Sequence, residues 1–194
     1  MTPTLAEAVV VSIMVAWYII RYRYARRSRR TPIARSARGP RETVLLLISL
    51  SGLGFVPLIY VATGFPAFAD YPFQPALAWL GLVFAIAALV VFRLTHKALG
   101  RNWSISLDVR ENHQLITAGV YRHVRHPMYT AFWLWAVAQA LLLPNWIAGC
   151  AGIVGFGTLY FGRVAREERM MLESFGDEYR AYMERTNRII PRVY

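Results

Sequence analysis

One cysteine in 194 residues leaves this chain no intrachain disulfide, and Cys150 lies inside an apolar run, where it reads as a small packing residue. Acidic residues are also scarce, 11 against 22 Lys and Arg, giving a formal net charge of +11. No C-x-x-C, paired-His zinc motif, P-loop or Gly-x-Gly-x-x-Gly fingerprint occurs, so the usual soluble folds for metal, nucleotide or dinucleotide binding have no foothold. Basic residues are themselves absent from three places: residues 1–4, residues 62–74 and the Pro144-Asn145 turn.

What is present is apolar. The chain is 56% hydrophobic with a mean hydropathy of +0.34, yet it carries charge in blocks, the pattern of short membrane spans joined by charged connections. Its length fits one domain over 1–194, an all-α polytopic membrane protein. The apolar runs predict five spans, at about 5–20, 44–61, 75–92, 129–143 and 146–161, the first and fourth being the shortest. Only Pro144-Asn145 separates the last two, which predicts a tight antiparallel hairpin with Asn145 near the cap of the fifth helix.

The basic residues fall on one side of this topology. Nine lie in 21–41, six in 93–125 and seven from Arg163 onward, which is all 22. The positive-inside rule then puts these segments in the cytoplasm and the N-terminus outside. A secretory signal has its positive charge before the apolar region, so the first span is expected to be retained. Every basic cluster abuts a span, where anionic headgroups attract arginine, and this argues for the lipid bilayer as partner and against nucleic acid.

Two cytoplasmic segments remain to carry chemistry, the 93–128 connection and the 162–194 tail. The connection is long for a helical bundle, and loops of that length are usually functional or disordered. Its Leu99-Gly-Arg-Asn-Trp103 and Leu107 to His113 stretches are too apolar and aromatic for simple disorder. Polar groups beside a bilayer core are expensive, which marks Gly119-Val-Tyr121-Arg-His-Val-Arg125-His126-Pro127-Met-Tyr129 as a functional segment. The tail reads as a continuation of the fifth helix, carrying Arg163, Glu167 and Glu168 at helical spacing. Gly176 is expected to end it, and Asp177 to Arg188 to form a short second helix with Tyr179, Tyr182 and Met183 before Pro191.

The ordered set His113-Gln-Leu-Ile116-Thr-Ala-Gly119-Val-Tyr121, Arg125-His126-Pro127-Met-Tyr129, Arg163 with Glu167-Glu168, Phe175-Gly176-Asp-Glu-Tyr179-Arg-Ala-Tyr182 and Arg188 to Pro191 resembles the isoprenylcysteine carboxyl methyltransferases. The resemblance covers residues 99–194; the first 90 match in hydropathy alone. One departure is Ala131, where many relatives place Gly. The resemblance implies an integral membrane enzyme that uses S-adenosylmethionine to methylate the carboxylate of a lipophilic, prenylcysteine-like acceptor. It further implies a cofactor pocket on the cytoplasmic side, built from the 93–128 connection and the C-terminal helices. By the same resemblance, His113, Gln114, Leu115 and Ile116 lie along the adenosine moiety. Tyr121, His126, Pro127, Met128 and Tyr129 wall the sugar and sulfonium end, Glu167 is a cofactor-binding carboxylate and Arg163 is the acceptor-binding cation. A monomer without metal is expected, in the cell membrane of a prokaryote or the endoplasmic reticulum of a eukaryote.

Each assignment has a plainer counterpart. His126 suits the cap of the fourth span, although that helix N-terminus also offers N–H groups to a carboxylate. Tyr121 and Tyr129 read as interfacial belt residues or as faces that attract a ligand cation. Arg163 and Glu167 read as an i, i+4 ion pair, or as a cation awaiting an acceptor carboxylate; Glu168 is expected to turn inward less than Glu167. Methylating a carboxylate with a sulfonium neutralises charge, so a dry pocket and positioning supply most of the rate with no general base. Phospholipid N-methyltransferases share much of the motif but have no use for Arg163. NADPH-dependent sterol reductases share the membrane fold and would need a site for a 2′-phosphate.

Overall fold

The computed structural model describes residues 1–28, 33–36, 39–100, 108–110 and 115–193. Helix α1 (Pro3–Ser28) is longer than the expected first span, because arginine is a good helix former and the helix runs on past Ile20 into the basic segment. Strand β1 (Ile33–Ser36) follows. Helix α2 (Pro40–Leu50) starts on a proline suited to a first turn. It passes through one π-helical turn, Ser51–Phe55, into α3 (Val56–Thr63), where Gly64 closes the helix at φ 70°. Helix α4 (Pro75–Leu99) ends at Gly100, and strand β2 (Asp108–Arg110) and a 3-10 turn (Gly119–Arg122) lead to α5 (Pro127–Leu142). Helix α6 (Trp146–Arg185) breaks at Gly176, whose φ of 51° sets off the short final helix expected from the sequence.

The fold is helical, with one small addition. β1 and β2 form an antiparallel ladder pairing Ile33 with Arg110 and Ser36 with Asp108, which joins the two long connections. Strands of four and three residues carry too short a pattern to be read from sequence.

Among the described residues, four helical stretches are long and apolar enough to cross a membrane: Pro3–Arg26, Pro40–Thr63, Pro75–Leu99 and Trp146–Arg185. Large apolar side chains such as Leu47, Ile59, Trp79, Val83, Ile86, Val154 and Phe161 point outward from them, as lipid-facing residues do. The helix expected as the fourth span, α5, has 16 residues and is about 24 Å long, shorter than a bilayer core of ~30 Å. It packs between α4 and α6.

Small residues set the spacing. Ala78, Gly81, Ala85 and Ala88 form one fully or nearly buried stripe on α4, spaced by three and four, against which α5 lies. A Cβ on Gly81 would meet Leu142 Cγ at 2.9 Å. On the other flank a Cβ on Gly52 would run into the Ala151 carbonyl, and one on Gly155 would stand 2.8 Å from the Ile48 oxygen, so the π turn and α6 touch backbone to backbone. Two carbonyls of that turn accept bonds from α5: Gln139 Nε2 donates to Gly52 O at 3.1 Å, and Trp135 Nε1 to Leu53 O at 3.3 Å. A wide turn with outward carbonyls satisfies buried donors that a regular helix would leave to lipid.

The expected α5–α6 hairpin is present, and Asn145 is its keystone. Its Oδ1 accepts from the backbone N–H of Ile147 and Ala148 at 3.0 and 2.8 Å, capping α6. Its Nδ2 donates to Pro66 O and Asp70 Oδ1, both at 2.7 Å, which ties the hairpin to the α3–α4 connection. Asn145→Ala removes cap and tether together and is expected to cost about 2 kcal/mol or more. Thermal unfolding of the detergent-purified protein measures this, and an unchanged midpoint would refute the assignment.

Candidate functional site

The site forms where the chain entering α5 meets the second half of α6 and the tail. After Gly176 the tail folds back so that residues 187 and 188 run beside 124–126. Arg125 N donates to Asn187 O at 2.8 Å and His126 N to Arg188 O at 2.9 Å. Thr130 Oγ1 donates to Ile189 O at 2.7 Å, and the buried Tyr182 hydroxyl donates to Tyr121 O at 2.5 Å. These bonds fasten the 3-10 turn and the start of α5 to the last helix.

Glu168 is the hub of this junction. Its Oε1 accepts from Arg125 Nε and Nη2 at 3.2 and 3.1 Å and lies 3.3 Å from His126 Nε2, while Arg188 Nη2 donates to Oε2 at 2.8 Å. Arg125 spends its other end on the Met183 carbonyl, at 3.2 Å, and on that of Thr186. Glu168 lies beyond the apolar part of α6, which ends near Phe161. Burial alone would raise its carboxyl, but the bonds from His126, Arg188 and Arg125 outweigh it and bring it down to about 2. Glu168 is only 4% exposed, so it turns further inward than Glu167, the reverse of the sequence expectation.

Glu167, one residue earlier, points elsewhere and keeps a side chain 28% exposed. It accepts from the Tyr129 hydroxyl, lies 3.9 Å from His126 Nδ1 and has Arg163 Nε at 3.7 Å. His126 stacks on Tyr129 with ring centroids 5.3 Å apart. Beneath them Tyr129 meets Tyr160 and Phe156 at 5.4 and 5.9 Å, forming an aromatic floor toward the membrane interior. Arg163 itself is 8% exposed and pairs through Nη1 with Glu42 Oε1 at 3.0 Å.

The structure therefore brings His126, Tyr129, Arg163 and Glu167 together, with Pro127 opening α5 and Met128 half-buried beside it. His126 does precede α5 as its N-cap residue, but its side chain makes no cap hydrogen bond and turns to the two glutamates instead. Tyr121 is half-buried in the 3-10 turn; burial and then the nearby Glu167 charge push its phenol well above the ordinary range. Leu115 and Ile116 are half-buried ahead of that turn. His113 and Gln114 lie outside the described residues.

Sequence reasoning missed Glu42, in the first turn of α2, and gave no role to Arg125 or Arg188. It also treated 21–41 as a connection remote from the site, whereas Arg21 stands close enough for the Arg163 charge to act on it. An acidic residue at the mouth of an apolar span was the available signal for Glu42, since such a group needs a partner at the same depth.

The model of the isoprenylcysteine carboxyl methyltransferase (ICMT) family matches residues 79–173. A probable protein-S-isoprenylcysteine O-methyltransferase of Oryza sativa subsp. indica is 32% identical over 131 residues, covering 66% of this chain and 67% of the rice protein. Protein-S-isoprenylcysteine O-methyltransferase B of Arabidopsis thaliana is 30% identical over 133 residues, covering 64% and 68%. Among solved structures, the eukaryotic intramembrane Ras methyltransferase ICMT without a monobody superposes with a TM-score of 0.52 at 22% identity, over 80% of this chain and 53% of that one. That likeness is one of fold.

Replacing Glu168 with Ala strands two guanidinium groups and is expected to destabilise the junction by about 3 to 5 kcal/mol. The check is limited proteolysis: the segment after Gly176 should be cleaved far sooner than in the wild type, and equal lifetimes would refute the hub role.

Proposed function

The chain belongs to the isoprenylcysteine carboxyl methyltransferase family, and from that membership we propose that it methylates the carboxylate of a lipophilic, prenylcysteine-like acceptor, using S-adenosylmethionine. The observation that carries the reading is the buried Arg163, set one helical turn from Glu167, which in turn accepts from Tyr129 and lies beside His126. A buried guanidinium at the edge of an apolar helix suits an anionic acceptor and has no use in an amine methylation.

The residues present fit the cofactor. Glu167 is an accessible carboxylate for an ammonium group, and the start of α5 presents backbone N–H groups that no capping side chain takes, which suits a carboxylate. Tyr121 and Tyr129 offer aromatic rings to a cation, and His126, stacked on Tyr129, lines the same wall. Leu115, Ile116, Pro127 and Met128 supply the apolar wall, and His113 and Gln114 are proposed to extend it. S-adenosylmethionine, when bound, supplies an electrophilic methyl group on a cationic sulfur.

The protein then has little chemistry of its own to perform. A carboxylic acid is already ionised at neutral pH, so no general base has to remove its proton. Arg163 orients the acceptor carboxylate, and the floor of Tyr129, Phe156 and Tyr160 keeps water from the reacting oxygen. Water solvates separated ions better than a transition state in which charge is disappearing, so its exclusion favours reaction. The lipid chain of the acceptor stays in the bilayer while its carboxylate reaches the site.

This reading includes five spans with α5 as the fourth, the N-terminus outside and the site facing the cytoplasm, supported by the one-sided arginine distribution. It takes residues 1–194 as one methyltransferase unit, acting as a monomer in the cell membrane or the endoplasmic reticulum according to the owner.

The test is methyl transfer from labelled S-adenosylmethionine to a farnesylated cysteine analogue by detergent-purified protein, scoring label released as methanol by base. Wild type should release label, and Arg163→Ala should lower kcat/KM for the acceptor about 30-fold or more while sparing cofactor affinity. His126→Ala and Glu167→Ala should weaken cofactor binding. Base-stable label in added phosphatidylethanolamine, with no methanol, would overturn the proposal.

A further inference from the structure

Glu42 is a buried carboxylate at the site that the cofactor and acceptor readings leave without work and that takes no part in the grip on Glu168. It comes from α2, far from α6 in the chain, and is 4% exposed, with its Oε1 3.0 Å from Arg163 Nη1. Arg163 therefore faces carboxylates on two sides, Glu42 at Nη1 and Glu167 at 3.7 Å from Nε. Arg21 of α1 stands close enough to feel the Arg163 charge. Helices α2 and α6 thus bring one arginine and two glutamates to one spot beside the apolar layer. An ion pair buried solely for stability is a poor bargain, since apolar residues of similar volume often do as well or better.

The chemistry supplies a reason for the pair. The acceptor carboxylate carries a full charge on binding and loses it as the ester forms. An arginine whose charge is wholly available holds the bound anion more tightly than the transition state and so raises the barrier. A resident carboxylate on the same guanidinium competes for that charge and fixes its plane.

We propose that Glu42 is a positioning residue for the acceptor: by pairing with Arg163 it aims the guanidinium and tempers its hold on the incoming carboxylate, weakening ground-state binding in favour of turnover. The proposal rests on the reading that Arg163 meets the acceptor.

The experiment compares wild type, Glu42→Gln, Glu42→Asp and Arg163→Ala in equilibrium binding of a farnesylated cysteine analogue and of its carboxamide, without cofactor, and in steady-state methyl transfer. Glu42→Gln should bind the acid about fivefold more tightly and the carboxamide no differently. Its acceptor KM should fall while kcat drops about tenfold, with cofactor affinity within about twofold of wild type. Glu42→Asp, which keeps the charge but withdraws it by one methylene, should lie between; should the Gln variant not fold, the Asp variant must show the same shift toward tighter acid binding. A merely structural Glu42 would lower kcat, cofactor affinity and thermal stability together without tightening acid binding, and that result overturns the inference. If Arg163→Ala loses its preference for acid over carboxamide while both Glu42 variants bind the acid as wild type does, the inference alone falls. If Arg163→Ala keeps that preference, the acceptor reading falls and takes the inference with it.

Discussion

The three-way grip on Glu168 is the interaction on which the arrangement depends. Arg125 and His126 precede α5, the latter as its N-cap residue, Arg188 lies past the end of α6, and all three converge on one buried carboxylate. Because Arg125 also holds the Met183 carbonyl, the hub fixes the return of the tail as well as the start of α5. With the tail in place, Tyr182 reaches the Tyr121 carbonyl and Thr130 reaches Ile189. Remove the central anion and each of these depends on cations that repel one another.

Two adjacent glutamates thereby divide the labour of the site. Neighbours on a helix point about 100° apart, so Glu168 faces the junction and Glu167 faces Tyr129 and Arg163. Saturated by arginines, Glu168 has no capacity left for a ligand. Glu167 keeps part of its side chain exposed and touches Tyr129, His126 and Arg163 more loosely, which leaves it able to exchange partners. A rigid anion beside an adaptable one is a sensible construction where solvent cannot supply counter-charge.

Much of this was legible in the sequence, and the boundary between legible and hidden has a physical cause. The apolar runs gave the helices, Pro144-Asn145 gave the hairpin and its cap, and Gly176 gave the break, because each depends on neighbours within a turn or two. The inward face of Glu168 was not legible, since it depends on the rotation of α6, and that is held by the contact of Gly52 with Gly155 from distant parts of the chain. The π turn, the β1–β2 ladder and the pairing of Glu42 with Arg163 share that origin. Local pattern names the side chains available to a site; only packing decides which of them meet.

The brevity of α5 has a consequence for how a greasy molecule would be handled. On the proposed topology, a helix of about 24 Å in a hydrocarbon layer of ~30 Å falls short by roughly 6 Å. If its outer end is held level with the hairpin turn at Asn145, its inner end, bearing His126 and Tyr129, lies sunk below the plane where headgroups begin. A ligand anchored by a hydrocarbon tail would then descend to its reaction partner instead of being lifted into water to meet it, and the tail would stay solvated by lipid throughout. The shortfall in length is in that sense a well let into the surface of the bilayer.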